Sequence, residues 1–191
     1  MAKARGAPNM DKQQHRDEWL MAELAQGKRE ALEPLVRRHA TPLLSFIQRM
    51  VGDRHRSEDL FQDVFCAVWT KRRQYEIGRP FKPWLYAIAL NACRADFRRP
   101  SLAAVSEESG AEVAAPGLSP AETAVATETA ALVARAVTVL PSQQRAVVVL
   151  RIWQQLDYRA IADIVECSET TVRSHMHHGL CALRKYLEPR M

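Results

Sequence analysis

One stretch of the chain decides how the rest can fold. Between Pro100 and Ala126 there is no aromatic residue, no Lys and no Arg, and three prolines (Pro100, Pro116 and Pro120) punctuate a run of Ala, Ser, Glu and Gly. Such a segment holds too little apolar surface to offset the entropy of ordering it. The 191 residues therefore divide into two modules on a tether, each built on its own helical periodicity. The spacer at 100–126 separates a first domain at 18–99 from a second at 127–191, and residues 1–17 read as a disordered polar tail. Ala121–Ala126 has the composition to become helical on contact with a partner.

Charge follows the same division. Residues 1–100 carry 19 basic and 12 acidic side chains, a net of +7. The spacer carries Glu107, Glu108, Glu112 and Glu122, a net of −4, and residues 127–191 return to +2. A basic half suits a polyanion, because Lys and Arg release counterions from phosphates. It also suits a solvated surface. No apolar run approaches the ~18 residues of a membrane span, and the polar N-terminus lacks the apolar core of a secretory signal. Cys66, Cys93, Cys167 and Cys181 are scattered, without a Cys-x-x-Cys, so reduced thiols and a cytoplasmic location are expected.

Both modules read as all-α. Trp19, Leu20, Leu24, Leu32, Leu35 and Val36 recur at helical spacing, and Leu43, Leu44, Ile47 and Met50 extend it in a second helix. Ser57 is placed to cap a third helix, with Glu58 and Asp59 in its first turn. That helix sets Leu60, Phe61, Val64, Phe65, Val68 and Trp69 on one stripe and leaves Asp59, Gln62 and Asp63 outside it. A basic loop at 71–80 follows, and a fourth helix begins near Phe81 with Pro83 in its first turn. Loop and helix have what single-stranded nucleic acid requires: arginines for phosphates and Tyr75 to stack on an unpaired base. A solvated loop with a core tyrosine fits the same residues.

In the second module, Leu132–Leu140 and Ala146–Trp153 form two helices broken at Pro141. Asp157 caps a short helix through Val165, and Ser168 caps the last, whose buried stripe is Val172, Met176, Leu180, Leu183 and Leu187. Two short helices joined by the tight turn Glu166–Ser168 make a helix-turn-helix, whose second helix enters a DNA major groove. Glu169, Thr170, Arg173, Ser174 and His177 then face outward, where hydroxyls and a guanidinium suit phosphates and base edges. A plain helical hairpin is the alternative. The last helix also crowds His175, His177, His178 and Cys181. The i,i+4 pair His177–Cys181 suits zinc or copper, but a third ligand is not evident, and Cys181 also reads as a small apolar residue. No metal or cofactor is expected. Trp19, Trp69, Trp84 and Trp153 read as core.

These strings in this order resemble the extracytoplasmic-function (ECF, group IV) sigma factors of the sigma-70 family. The resemblance rests on Ser57–Phe65, Phe81–Ala89, Asn91 and Arg98–Arg99 in the first module. In the second it rests on Leu140–Arg145, Tyr158–Ala162 and Thr171–Ser174. It implies two small helical domains, region 2-like and region 4-like, joined by a flexible acidic linker, with no catalytic group. By the same resemblance Asp59, Gln62 and Asp63 dock on core RNA polymerase. The −10 element of promoter DNA falls to Arg72, Arg73, Tyr75, Asn91, Arg94, Arg98 and Arg99. The −35 element falls to Thr170, Thr171, Arg173, Ser174, His177 and His178. An anti-sigma factor, often membrane-anchored, is the further partner implied, while the chain itself inserts in no membrane. A sigma-like regulator that binds a protein partner without reading promoters is the alternative, and an enzyme or metal sensor with a helical DNA-binding tail a third. Three departures bear on specificity. Glu166 stands where Gly is common, and Glu is strained there if the turn needs a positive φ. Ala160 replaces a capping Glu, and His175, His178 and Leu180 replace common arginines.

Overall fold

The computed structural model describes residues 7–98 and 120–190, with side chains from Arg16 to Arg98 and from Glu128 to Pro189. Among these residues there are eight α-helices and no strand. The first four are α1 (Ala7–Ala25), α2 (Leu32–Val51), α3 (Arg54–Lys71) and α4 (Phe81–Arg98). The last four are α5 (Pro120–Thr138), α6 (Ser142–Ile152), α7 (Tyr158–Val165) and α8 (Glu169–Leu187).

Glycine and proline explain the first boundaries. Gly27 takes φ +95 after α1, and Gly52 takes φ +80 after α2, where its N–H closes the helix on the Gln48 carbonyl at 2.8 Å. Both are left-handed positions that glycine occupies without a Cβ penalty. The break therefore falls between Leu24 and Leu32, and α2 is one 20-residue helix that runs through Pro42. Asp53, not Ser57, caps α3, accepting from the Arg56 N–H at 2.8 Å. Ser57 sits buried one turn in and donates its hydroxyl back to the Asp53 carbonyl.

The tail expected at 1–17 is helical from Ala7, and its last residue is a tether. Asp17 is buried, ion-paired with Arg38 and held at 2.8 Å from His39 Nε2. The His39 ring meets Phe81 edge-on at 5.1 Å, so α1, α2 and the start of α4 share one polar anchor. A buried carboxylate is tolerated only when paired in this way. Similarly, α5 begins at Pro120, so 120–126 is already helical, whereas the acidic stretch bearing Glu107, Glu108 and Glu112 lies outside the described residues.

The core runs unbroken through both halves. Leu35, Phe46, Ile47, Val64, Leu85 and Tyr86 fill the first, and Val147, Leu150, Ile161 and Val172 the second. Phe46 and Tyr86 meet edge to face at 5.1 Å, an arrangement that adds to area burial. Two expected core residues are surface residues. Trp19 is 59 % exposed, and Leu180 is 44 % exposed because the buried face of α8 passes through Gly179 instead.

Candidate nucleic-acid interface

The helix α3 is amphipathic as its spacing requires. Leu60, Val64, Phe65 and Val68 are buried, while Asp59, Gln62 and Asp63 stand exposed along the opposite side. Two carboxylates and an amide thus form a ready acceptor surface for a basic partner helix.

The basic loop divides into structural and free residues. Arg72 is structural. Its Nη1 donates to the Trp69 carbonyl at 2.6 Å, its guanidinium lies 3.9 Å above the Trp69 ring, and its Nε is buried without a partner. Arg73 is exposed. Tyr75, expected to stack on a base, lies in the core. It is 5 % exposed, packed edge-on against Trp84 at 5.1 Å, with its hydroxyl donating to the Arg79 carbonyl. Burial, and then the charges of Glu18 and Asp17, push its phenol above the ordinary range. An aromatic that closes a loop onto its own helix serves the apolar side of that loop, so the stacking face expected of Tyr75 is not offered to solvent.

On α4, Asn91 and Arg98 are exposed, Arg94 is half-buried, and Arg99 lies outside the described residues. Arg94 Nη1 donates to Asn91 Oδ1 at 3.4 Å, while its Nη2 reaches Gln143 Oε1 at 3.2 Å and the Val165 carbonyl at 3.4 Å. The charged face of α4 is therefore turned partly toward α6 and α7.

The helix-turn-helix is built as its caps dictate. Asp157 accepts from the Ala160 N–H at 2.7 Å to start α7, and Ser168 accepts from the Thr171 N–H at 3.1 Å to start α8. Between them Glu166 adopts φ 62, ψ 48, the left-handed conformation that makes Glu costly there. Val172 and Met176 anchor α8, and Thr170, Thr171, Arg173, Ser174, His177 and His178 all face solvent. The Thr171 hydroxyl, 2.8 Å from Ser168 Oγ, serves the cap as well. Arg173 is aimed by two neighbours: Glu169 at 3.5 Å and the Tyr158 ring, 4.5 Å below its guanidinium. Arg151 covers the same ring at 5.0 Å. Tyr158 thus orients a guanidinium on the exposed helix, a role that emerges only once α7 and α8 are packed.

His177 Nε2 and Cys181 Sγ lie 3.7 Å apart, and the His177 and His178 rings 5.6 Å apart. Among the described residues no group of three or more His, Cys, Asp or Glu gathers in metal-binding geometry. None of the described helices is long and apolar enough to cross a membrane.

Comparison with known proteins agrees with this geometry. Residues 35–101 match the Sigma-70 region 2 family and residues 130–183 match the Sigma-70, region 4 family. The ECF RNA polymerase sigma factor ShbA of Streptomyces griseus is 32 % identical over 180 residues, covering 88 % of this chain and 94 % of its own. Among solved structures, CnrH in complex with the cytosolic domain of CnrY superposes with a TM-score of 0.71 at 24 % identity, covering 92 % of this chain and 99 % of that one. The sigma factor RpoE in complex with the anti-sigma factor NepR, from Bartonella quintana, has a TM-score of 0.65 at 20 % identity, covering 82 % and 96 %. The chain belongs to the ECF group of the sigma-70 family, non-enzymatic transcription initiation factors.

Proposed function

We propose that this chain binds core RNA polymerase in the cytoplasm and directs it to promoters carrying a −35 and a −10 element. The observation that carries the reading is the construction of α8. Its first turns are fixed by the Ser168 cap and by buried Val172 and Met176, and they present Thr170, Arg173, Ser174 and His177 outward on one face. A helix so held can lie in a major groove with hydroxyls and a guanidinium at the base edges. Asp59, Gln62 and Asp63 on α3 give the acidic surface for the polymerase. Asn91, Arg98 and Arg73, with Arg94 once its present partners are released, give the cationic surface for an opened −10 strand. Arg72 supports that surface through Trp69.

An anti-sigma factor, anchored in the membrane, completes the proposal. The fold shared with RpoE, solved with NepR, supports such a partner.

Run-off transcription with purified core polymerase on a promoter library tests the reading. Transcripts that appear only when the protein is added, and share −35 and −10 sequences, are expected. Core binding without any new transcript would point to a regulator that does not read promoters.

A further inference from the structure

The face of α8 that carries His177 continues to Cys181, a residue the function proposed above does not use. The two stand four positions apart, so one helical turn sets them on the same side. Both are exposed, and His177 Nε2 lies 3.7 Å from Cys181 Sγ. The helix beneath them is held firmly. Ser168 caps its start, and Val172, Met176, Gly179 and Leu183 are buried along its inner side.

Imidazole nitrogen and thiolate sulfur are donors that zinc(II) favours, where magnesium and calcium take oxygen. Zinc bonds nitrogen at about 2.0–2.1 Å and sulfur at about 2.3 Å, so a separation of 3.7 Å closes the triangle with an angle of about 116° at the ion. The tetrahedral angle is about 109°, so the two side chains already stand at a chelating distance. A linear two-coordinate ion would require roughly 4.3 Å between the donors, more than they leave. Exposure keeps the other two positions of a tetrahedron open to water. Cys66 gives the contrast: it is exposed on α3, and no histidine lies within one turn of it.

We propose that His177 and Cys181 chelate one zinc(II) ion on the exposed face of α8, through Nε2 and Sγ. The thiol proton passes to water as the zinc–sulfur bond forms, and no electron is transferred. His178, its ring centroid 5.6 Å from that of His177, points to the next position around the helix and stays outside the chelate. The site rests on the geometry of the pair and not on the function proposed above. On that function it has one consequence: Nε2 of His177 cannot hold zinc and contact a base at once, so metal and duplex compete for the same ring.

The test uses the full chain, reduced and stripped of metal with a chelator. Cobalt(II) is the spectroscopic probe, because a thiolate–cobalt bond gives a charge-transfer band in the near ultraviolet, and zinc then displaces it. One cobalt per chain is expected to saturate the band. His177→Gln and Cys181→Ser, both at exposed positions, are expected to abolish it at native helix content. Thiol labelling supplies a second readout. At about ten times the dissociation constant of zinc, iodoacetamide should modify Cys181 roughly tenfold more slowly, since only about a tenth of the chains keep that thiol free. Labelling of Cys66 should not change. The proposal is overturned if wild type gives no band, if zinc slows Cys66 and Cys181 alike, or if His177→Gln keeps the protection. Saturation at one ion per two chains, with a dimer, would also overturn it and place the ion between two copies. No arm reads promoter use, so failure of the functional reading would leave these results standing.

Discussion

Gly179 of α8 faces Val148 of α6 so closely that a Cβ on Gly179 would lie 2.7 Å from Val148 Cγ2. Val148 is fully buried and β-branched, so it has no free rotamer into which to retreat. Glycine in mid-helix ordinarily costs about 1 kcal/mol relative to alanine. Here it is what lets the helix bearing Arg173 lie on α6.

Gly179→Ala is therefore expected to destabilise. Overpacking costs about 1–3 kcal/mol, enough to outweigh the gain in helix propensity. Urea unfolding checks this. A lower midpoint with an unchanged slope is expected, and an unchanged or higher midpoint would contradict the close approach.

Glu166→Gly should do the opposite. A non-glycine residue in the left-handed conformation is disfavoured by about 1–2 kcal/mol, and Glu166 is held at φ 62 with its side chain exposed. Part of that gain is lost to the greater freedom of glycine in the unfolded chain, leaving about 0.5–1 kcal/mol. The substitution also removes a negative charge beside α8, so on the function proposed above duplex affinity should rise as well. A lower unfolding midpoint would refute the strain argument.

Arg173→Ala is expected to weaken promoter use by about 1–3 kcal/mol, roughly 5- to 150-fold, if the guanidinium reads a base. Its ion pair with Glu169 is exposed, so stability should move by less than about 0.5 kcal/mol. Run-off transcription on promoters mutated base by base locates the position it reads. Equal transcription from wild type and variant on every promoter would remove Arg173 from the interface.

The thiols should divide by burial. Cys66 and Cys181 are exposed, whereas Cys93 is buried on α4, and desolvation first and the Asp96 charge second push it up to about 12 from an ordinary 9.0. Only the thiolate reacts. At pH 8, iodoacetamide should modify Cys66 and Cys181 and spare Cys93 until the protein is unfolded. Because the folded value is raised, the contribution of Cys93 to stability is complete below about pH 9 and is lost as pH rises toward 12. Mass spectrometry after timed labelling reads the first effect. Equal labelling of all three cysteines in the folded protein would contradict it.

What the sequence made legible was local. Asp157 and Ser168 as caps, the turn at Glu166 and the outward residues Glu169, Thr170, Arg173, Ser174 and His177 follow from spacing and side-chain chemistry. For Tyr75 the sequence left two readings open, a base-stacking aromatic and a core residue, and its partners Phe81 and Trp84, reached only after the loop closes, decide for the core. Asp53 displaced Ser57 as a cap because both residues can accept from an N–H, and only the preceding Gly52 turn decides which comes first. Leu180 and Gly179 exchanged places in the expected stripe for a similar reason: the approach of α6 selects the small residue. The contacts of Gln154 with Tyr86 and Pro42, and of Arg145 with Met50, span 68 to 112 residues of sequence, and no short-range pattern encodes them.

Permanganate reactivity of promoter thymines tests the central claim most directly. On a promoter recovered from the library, core polymerase together with this protein should make thymines at −10 reactive, since they are unstacked there, while core polymerase alone leaves them protected. Protection in both samples, with the protein demonstrably bound to core polymerase, would contradict the account.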